Sequence, residues 1–348
     1  MIRVLVVDDS ATVRRVLSEA LAAQQGIAVV GTAPDPYVAR DRIAELKPDV
    51  LTLDIEMPRM DGLSFLAKLM QHYPLPVVVL SSLTPAGSEL AMRAYELGAV
   101  EVLCKPSTAW SVDEAMPALV RALHRAAAAR ILPRRPVPAA ELPPLRLSTT
   151  NRVLAIGAST GGTEALRALF ARLPADTPGT VVVQHMPAQF TAAFAERLSS
   201  VGKMRVAEAQ GGEELLPGLA FVAPGGRHLV VERSGARYLT ALRDGPPVHF
   251  QKPAVDVLFY SVARAAGANA VGVLLTGMGA DGAAGLKAMR EAGAHTIAQD
   301  EASSVVFGMP KAAIELGAAV EVAHLDQVPE RIVRAFQGRS SHAHPHRR

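Results

Sequence analysis

Short runs of valine, leucine and isoleucine recur along this chain, separated by longer segments of mixed apolar and polar character. Val4–Val7, Ala28–Gly31, Val50–Leu53, Val77–Leu80 and Val100–Leu103 read as buried strands. Between them, stretches such as Ala11–Ala23 and Tyr37–Glu45 have helical periodicity. Strands without polar alternation are covered on both faces, which calls for a parallel sheet with helices above and below. The pattern predicts a doubly wound α/β domain of the (βα)5 kind over residues 1–125.

Prolines then crowd the segment from Leu132 to Pro144. They lack amide donors and resist helix and sheet alike, so residues 126–150 are expected to be a proline-rich linker. Alternation resumes beyond it, with strand Val153–Ile156, helix Thr163–Leu173, strand Val181–Gln184 and helix Ala188–Ser200. A β-rich patch follows (Ala220–Val222, Leu229–Val231, Tyr238–Leu242), then helix Ala254–Ala266, strand Val271–Leu275 and strand Thr296–Ala298. Residues 151–338 therefore read as a second doubly wound parallel-sheet domain, Rossmann-like, with an antiparallel insertion. The tail 339–348 carries His342, His344 and His346, yet a disordered end is expected there.

Composition narrows the class. The chain has 348 residues, enough for two domains with cores of their own, and 49% hydrophobic against 20% charged residues excludes a disordered chain. A formal net charge of +3 gives little reason to expect nucleic acid as a partner. One cysteine, Cys104, rules out an internal disulfide and suits a reducing compartment. The first residues run into acids too soon for a signal peptide, and no apolar stretch approaches the roughly 18 residues of a membrane span. A cytoplasmic protein without membrane insertion is expected.

Chemistry-bearing residues fall where ligands gather in open α/β sheets, at the carboxyl ends of strands. Asp8 and Asp9 follow the first strand, Asp54 the third, Ser81 the fourth and Lys105 the fifth. Carboxylates so placed repel one another unless a hard divalent cation joins them, and Mg²⁺ with oxygen ligands is the natural choice. Mg²⁺ beside Asp54 would also stabilise an aspartyl-phosphate, with Lys105 balancing the phosphoryl charge and Ser81 hydrogen-bonding it. Singly these residues have plainer explanations, since Asp-Asp-Ser before a helix is an ordinary N-cap.

In the second half, Val153-Leu154-Ala155-Ile156-Gly157-Ala158-Ser159-Thr160-Gly161-Gly162 is a strand ending in a glycine-flanked serine before a helix. Such a turn can hold a nucleophile off the sheet. A dinucleotide phosphate loop is the competing reading, but its glycine spacing differs and the next strand ends in Gln184-His185 instead of an acid. A helix N-cap is the third. His185 should share the sheet edge with Ser159 and is a candidate base, and Asp281, after a further apolar strand, could orient the imidazole.

These motifs reach two families. VLVVDDS, LTLDIEMPRMDG, VVVLSS and CKP closely resemble the response-regulator receiver domain. That resemblance implies phosphorylation of Asp54 by a histidine kinase, with Asp8, Asp9, Asp54 and the backbone carbonyl of Glu56 organising Mg²⁺. It departs from many receivers in having Val102 where an aromatic switch residue stands three positions before the lysine. IGASTGG, VVVQHMP, APGGRH, PAVDVLF, LLTGMGADG and QDEASSVVFGMP resemble the catalytic domain of chemotaxis protein-glutamate methylesterases, the CheB family.

The second resemblance implies Ser159 as nucleophile, His185 as general base and Asp281 as its orienter, with Thr160 and the backbone near Met278 close to the oxyanion. It implies hydrolysis of glutamate γ-methyl esters on chemoreceptors, deamidation of receptor glutamines, and no catalytic metal for the ester step. It also implies that the unphosphorylated receiver obstructs the serine and that Asp54 phosphorylation weakens that interface; to move from mostly closed to mostly open, phosphorylation must bias the two states by roughly 5 kcal/mol. Two rivals remain at this stage. A DNA-binding output lacks a compact helix-turn-helix or basic recognition helix in the second half. A phosphorylation-dependent scaffold with an idle triad would fail to hydrolyse any ester.

Overall fold

The computed structural model describes residues 1–81, 85–105, 112–131, 142–145 and 151–338. The chain divides into two compact units, Met1–Ile131 and Leu132–Arg348. Most of the expected linker, and all of the expected tail, lie outside the described residues.

In the first unit, strands β1 (Ile2–Val7), β2 (Ile27–Ala33), β3 (Val50–Asp54), β4 (Val77–Ser81) and β5 (Glu101–Cys104) alternate with helices α1 (Ala11–Ala22), α2 (Pro36–Leu46), α3 (Gly62–His72), α4 (Pro85–Glu96) and α5 (Val112–Ala127). The strands form one parallel sheet in the order β2-β1-β3-β4-β5. Every residue of β3 and β4 is buried, as the unbroken apolar runs require. Val4, Val6, Val78 and Leu80 pack with Leu17, Leu21, Leu119 and Leu123 from the helices α1 and α5. The strand order reverses direction between β1 and β3, and the crevice at their carboxyl ends is where Asp8 and Asp54 stand.

In the second unit, β6 (Val153–Ala158), α6 (Gly162–Phe170), β7 (Gly179–Gln184), α7 (Ala188–Val201), β8 (Arg205–Glu208), β9 (Leu219–Val222), β10 (His228–Ser234), β11 (Arg237–Arg243), α8 (Val255–Ala266), β12 (Ala270–Leu274), α9 (Ala283–Glu291), β13 (His295–Gln299), α10 (Met309–Glu315), β14 (Glu321–Ala323) and α11 (Val328–Gln337) follow in turn. The main sheet has seven parallel strands in the order β14-β13-β12-β6-β7-β9-β8. Its switch point lies between β6 and β12, one bearing Ser159 and the other the loop to Asp281.

The antiparallel insertion is narrower than the β-rich patch suggested. Leu229–Val231 and Tyr238–Leu242 belong to the β10–β11 hairpin, whereas Ala220–Val222 lies in β9, inside the parallel sheet. All three are short apolar strands with turn residues nearby. Only tertiary pairing separates a sheet member from a hairpin arm.

Candidate functional site

The acidic pocket of the first unit forms because three strand ends converge. Oxygens of Asp8, Asp9 and Asp54 lie within 4.8 Å of one another. Lys105 Nζ stands 2.7 Å from Asp54 Oδ2 and 2.9 Å from Asp8 Oδ2. The Glu56 amide donates to Asp54 Oδ1 at 3.3 Å. Ser81 ends β4 and is buried.

Burial is the largest influence on Asp54 and raises its pKa, the nearby Asp8 charge adds to this, and the Lys105 ammonium offsets only part. Burial works against charge on Lys105 too, but its hydrogen bonds to Asp54 and Asp8 prevail and hold its pKa above the usual value. One ammonium thus pairs with two of three clustered carboxylates, an all-oxygen set that fits a hard cation such as Mg²⁺.

Val102, at the position where many receivers have an aromatic, donates its backbone N–H to the phenolic oxygen of Tyr95 at 3.2 Å. A buried aromatic from α4 therefore contacts β5 at the place where the strand's own residue is small.

In the second unit Ser159 leaves β6 in a tight turn. Its N–H donates to Thr276 O at 3.0 Å, and Gly162 N–H donates to Ser159 O at 2.7 Å. Gly161 takes φ 77°, a left-handed conformation that suits glycine, before α6 begins. Gly277 must also lack a side chain, since a Cβ there would come within 2.7 Å of Ser159 Cβ.

Ala158 pairs with Gln184 at the edge of β6 and β7, so Ser159 and His185 are the next residues beyond one register pair. Gln184 Nε2 donates to Ser159 O at 2.9 Å and to His185 O at 3.0 Å, tying the two strand ends together. His185 Nε2 lies 2.9 Å from Asp281 Oδ2. Its Nδ1 is buried without a hydrogen-bond partner, and no hydrogen bond joins it to Ser159 Oγ.

Asp281 has a second set of partners. Its carboxylate accepts the Val255 N–H at 2.7 Å and the Asp256 N–H at 2.9 Å, the opening amides of α8. That helix has no side-chain cap of its own, so Asp281 supplies one from a distant loop. Burial alone would raise the Asp281 pKa, but the His185 hydrogen bond and charge, with the two amides, outweigh it and set the pKa below the ordinary carboxylate value. An ionised Asp281 is the state a neutral imidazole needs beside it.

Sequence reasoning named Ser159, His185 and Asp281, and the fold brings their segments to one sheet edge. It did not single out Gln184 or Asp256. Asp256 is buried, receives the Gly285 N–H at 2.6 Å, and its Oδ2 lies 3.0 Å from His249 Nε2. Burial, the largest influence, raises its pKa, and the nearby Asp281 charge raises it further. The signal available in the sequence was an acid set inside the apolar run Val255-Asp256-Val257-Leu258. Thr160 is buried near the same turn, where Thr276 Oγ1 donates to its carbonyl at 2.9 Å, and Met278 is partly exposed.

Fold and site together define a two-unit α/β protein, with a receiver-type acidic pocket in one unit and a serine–histidine–aspartate grouping of hydrolase type in the other. Comparison with known proteins gives this class its family. The CheB methylesterase family matches residues 154–332, and the response regulator receiver domain matches residues 4–116. The "Protein-glutamate methylesterase/protein-glutamine glutaminase 2" of Syntrophus aciditrophicus is 55% identical over 339 residues, 96% of this chain and 98% of that relative. A numbered homologue of the same name in Anaeromyxobacter dehalogenans is 56% identical over 336 residues, 96% of this chain and 94% of that one. The crystal structure of the Thermotoga maritima CheB methylesterase catalytic domain has 37% identity and a TM-score of 0.52, covering 53% of this chain and 97% of that domain. The chain belongs to the CheB methylesterase family and carries a receiver domain ahead of its methylesterase domain.

Proposed function

We propose that this chain is a phosphorylation-activated protein-glutamate methylesterase that removes methyl groups from glutamate γ-methyl esters of chemoreceptors, giving glutamate and methanol. It also deamidates receptor glutamines, serving chemosensory adaptation in the cytoplasm. The observation that carries the reading is His185: Nε2 is engaged by Asp281, and Nδ1 is buried without a partner at the strand end beside Ser159.

With Asp281 ionised, the neutral imidazole keeps its proton on Nε2, where it donates to Oδ2. Nδ1 is then the basic nitrogen and takes the Ser159 hydroxyl proton as Oγ attacks the ester carbonyl. The contact closes when substrate binds, as catalytic hydrogen bonds in empty sites commonly do. Charge develops on the carbonyl oxygen, and donors near Thr160 and the Met278 backbone N–H stabilise it. Collapse breaks the bond to the methoxy group, which leaves as methanol with the Nδ1 proton, and a γ-glutamyl ester remains on Ser159. Water repeats the sequence and releases glutamate. With a glutamine substrate the leaving group is ammonia, and the same residues serve.

In the receiver unit, Asp54 accepts a phosphoryl group from the phosphohistidine of the pathway's histidine kinase. Asp8, Asp9, Asp54 and the Glu56 carbonyl would hold Mg²⁺, which when bound neutralises phosphoryl oxygens. Lys105 and Ser81 contact the remaining phosphoryl charge. The test is methanol release from methylated receptor membranes by wild type, Ser159→Ala and Asp54→Ala, each with and without a small phosphodonor and Mg²⁺. Stimulated wild type, unstimulated Asp54→Ala and dead Ser159→Ala support the reading. A wild type that releases no methanol in either condition overturns it.

A further inference from the structure

Just before α8 the chain makes a two-residue hairpin. Val248 N–H donates to Gln251 O at 3.0 Å, and Gln251 N–H donates to Val248 O at 2.8 Å. The two central residues are His249 and Phe250, with φ 50° and 62°. Consecutive left-handed residues are the geometry that Asn-Gly accommodates readily, and an imidazole and a benzyl group adopt it under strain. Packing does not explain Phe250, whose side chain is not buried by the fold: the residue is 86% exposed. Strain of this kind persists where the surrounding structure enforces it, and it concentrates at functional sites.

The enforcing structure is the active-site frame itself. His249 Nε2 stands 3.0 Å from Asp256 Oδ2, and ligand atoms of His249, Asp256 and Asp281 lie within 4.8 Å of one another. The hairpin tip is thus fastened to the helix end that also holds Asp281. Met278, in the loop that carries Asp281, is 43% exposed and follows Gly277, which lies against Ser159. Two exposed apolar side chains therefore flank the frame that holds Asp281, Phe250 on the hairpin tied through His249 to the end of α8 and Met278 in the loop that carries Asp281 itself.

We propose that Phe250 is a specificity-determining contact, the main part of an apolar lip, shared with Met278, that receives apolar side chains of the substrate protein beside the esterified residue. The inference rests on the methylesterase reading and deepens it. A small acylating reagent needs only the nucleophile and its base, whereas a protein substrate must also be gripped away from the reacting carbonyl.

The experiment uses the full chain with phosphodonor and Mg²⁺, and compares wild type with Phe250→Gly and Phe250→Leu. Glycine relieves the left-handed strain, so thermal stability should hold or rise. For methanol release from methylated receptor membranes, kcat/KM should fall roughly tenfold in Phe250→Gly, mostly through KM, while Phe250→Leu stays within about threefold of wild type. Labelling of Ser159 by a fluorophosphonate should proceed at the wild-type rate in both variants. Unchanged kcat/KM in Phe250→Gly overturns the proposal, as does a labelling rate that falls in step with it. A wild type that releases no methanol brings down the methylesterase reading, and this inference with it.

Discussion

Two aspartates at the carboxyl ends of parallel strands face opposite surroundings. Asp54 shares its crevice with Asp8 and Asp9, and one lysine pairs with Asp54 and Asp8. Asp281 is enclosed by donors, two opening amides of α8 and the His185 ring. Burial pushes both pKa values up, yet Asp54 ends above the ordinary carboxylate value and Asp281 below it. The difference teaches that local donor supply, more than depth, decides what a buried carboxylate can do. A poorly compensated one is suited to take a cation and a phosphoryl group, and a fully compensated one to hold an imidazole still.

The hydrolase unit should show the greatest loss on substitution. Ser159→Ala should lower methanol release by roughly 10⁴-fold or more, leaving Asp54 phosphorylation intact, as measured by labelled phosphodonor uptake. Loss of both activities would indicate a folding defect and leave Ser159 without its assigned role.

Asp281→Asn comes next. The amide cannot both accept from α8 and fix the Nε2–H tautomer, so kcat should fall by about 10³- to 10⁴-fold. A loss of under tenfold in single-turnover measurements would remove Asp281 from the mechanism.

Gln184→Ala should act more gently. It deletes the two hydrogen bonds that tie Ser159 and His185 together. Destabilisation of about 1–3 kcal/mol is expected in denaturant unfolding, with roughly tenfold lower kcat from misplacement of the strand ends. Full activity at normal stability would show that the sheet alone sets the spacing.

The contrast in charge between Asp54 and Asp281 should show in stability, with a smaller effect. A raised folded pKa means Asp54 supplies stability that is whole below the unfolded carboxylate pKa and is lost as pH rises through the folded value. A depressed one means Asp281 supplies stability that is present above the unfolded pKa and is lost as pH falls through the folded value. In chelator-treated buffer at neutral pH, Asp54→Asn should melt a few degrees above wild type and Asp281→Asn below it, both gaps closing in acid. Calorimetry across a pH series checks this, and shifts of the same sign in both variants would refute the contrast.

Much of this was legible in the chain. Unbroken Val/Leu runs specify buried parallel strands, and a parallel sheet places whatever follows each strand at one edge. Asp8, Asp54, Lys105, Ser159, His185 and Asp281 could therefore be assigned to two edges from their positions alone. The set of strand-end residues and the two sheets that gather them thus follow from the order of residues alone.

Tertiary structure decided the rest. Whether Ala220–Val222 joined the hairpin or the main sheet depended on pairing between distant segments. The capping of α8 by Asp281 links residues 25 and 26 positions apart, and no local rule predicts a helix capped from another loop. The strained His249–Phe250 tip was hidden for the same reason. Its sequence carries no glycine or asparagine to announce the turn, and the Asp256 contact and the two flanking hydrogen bonds that hold it in place come from the fold.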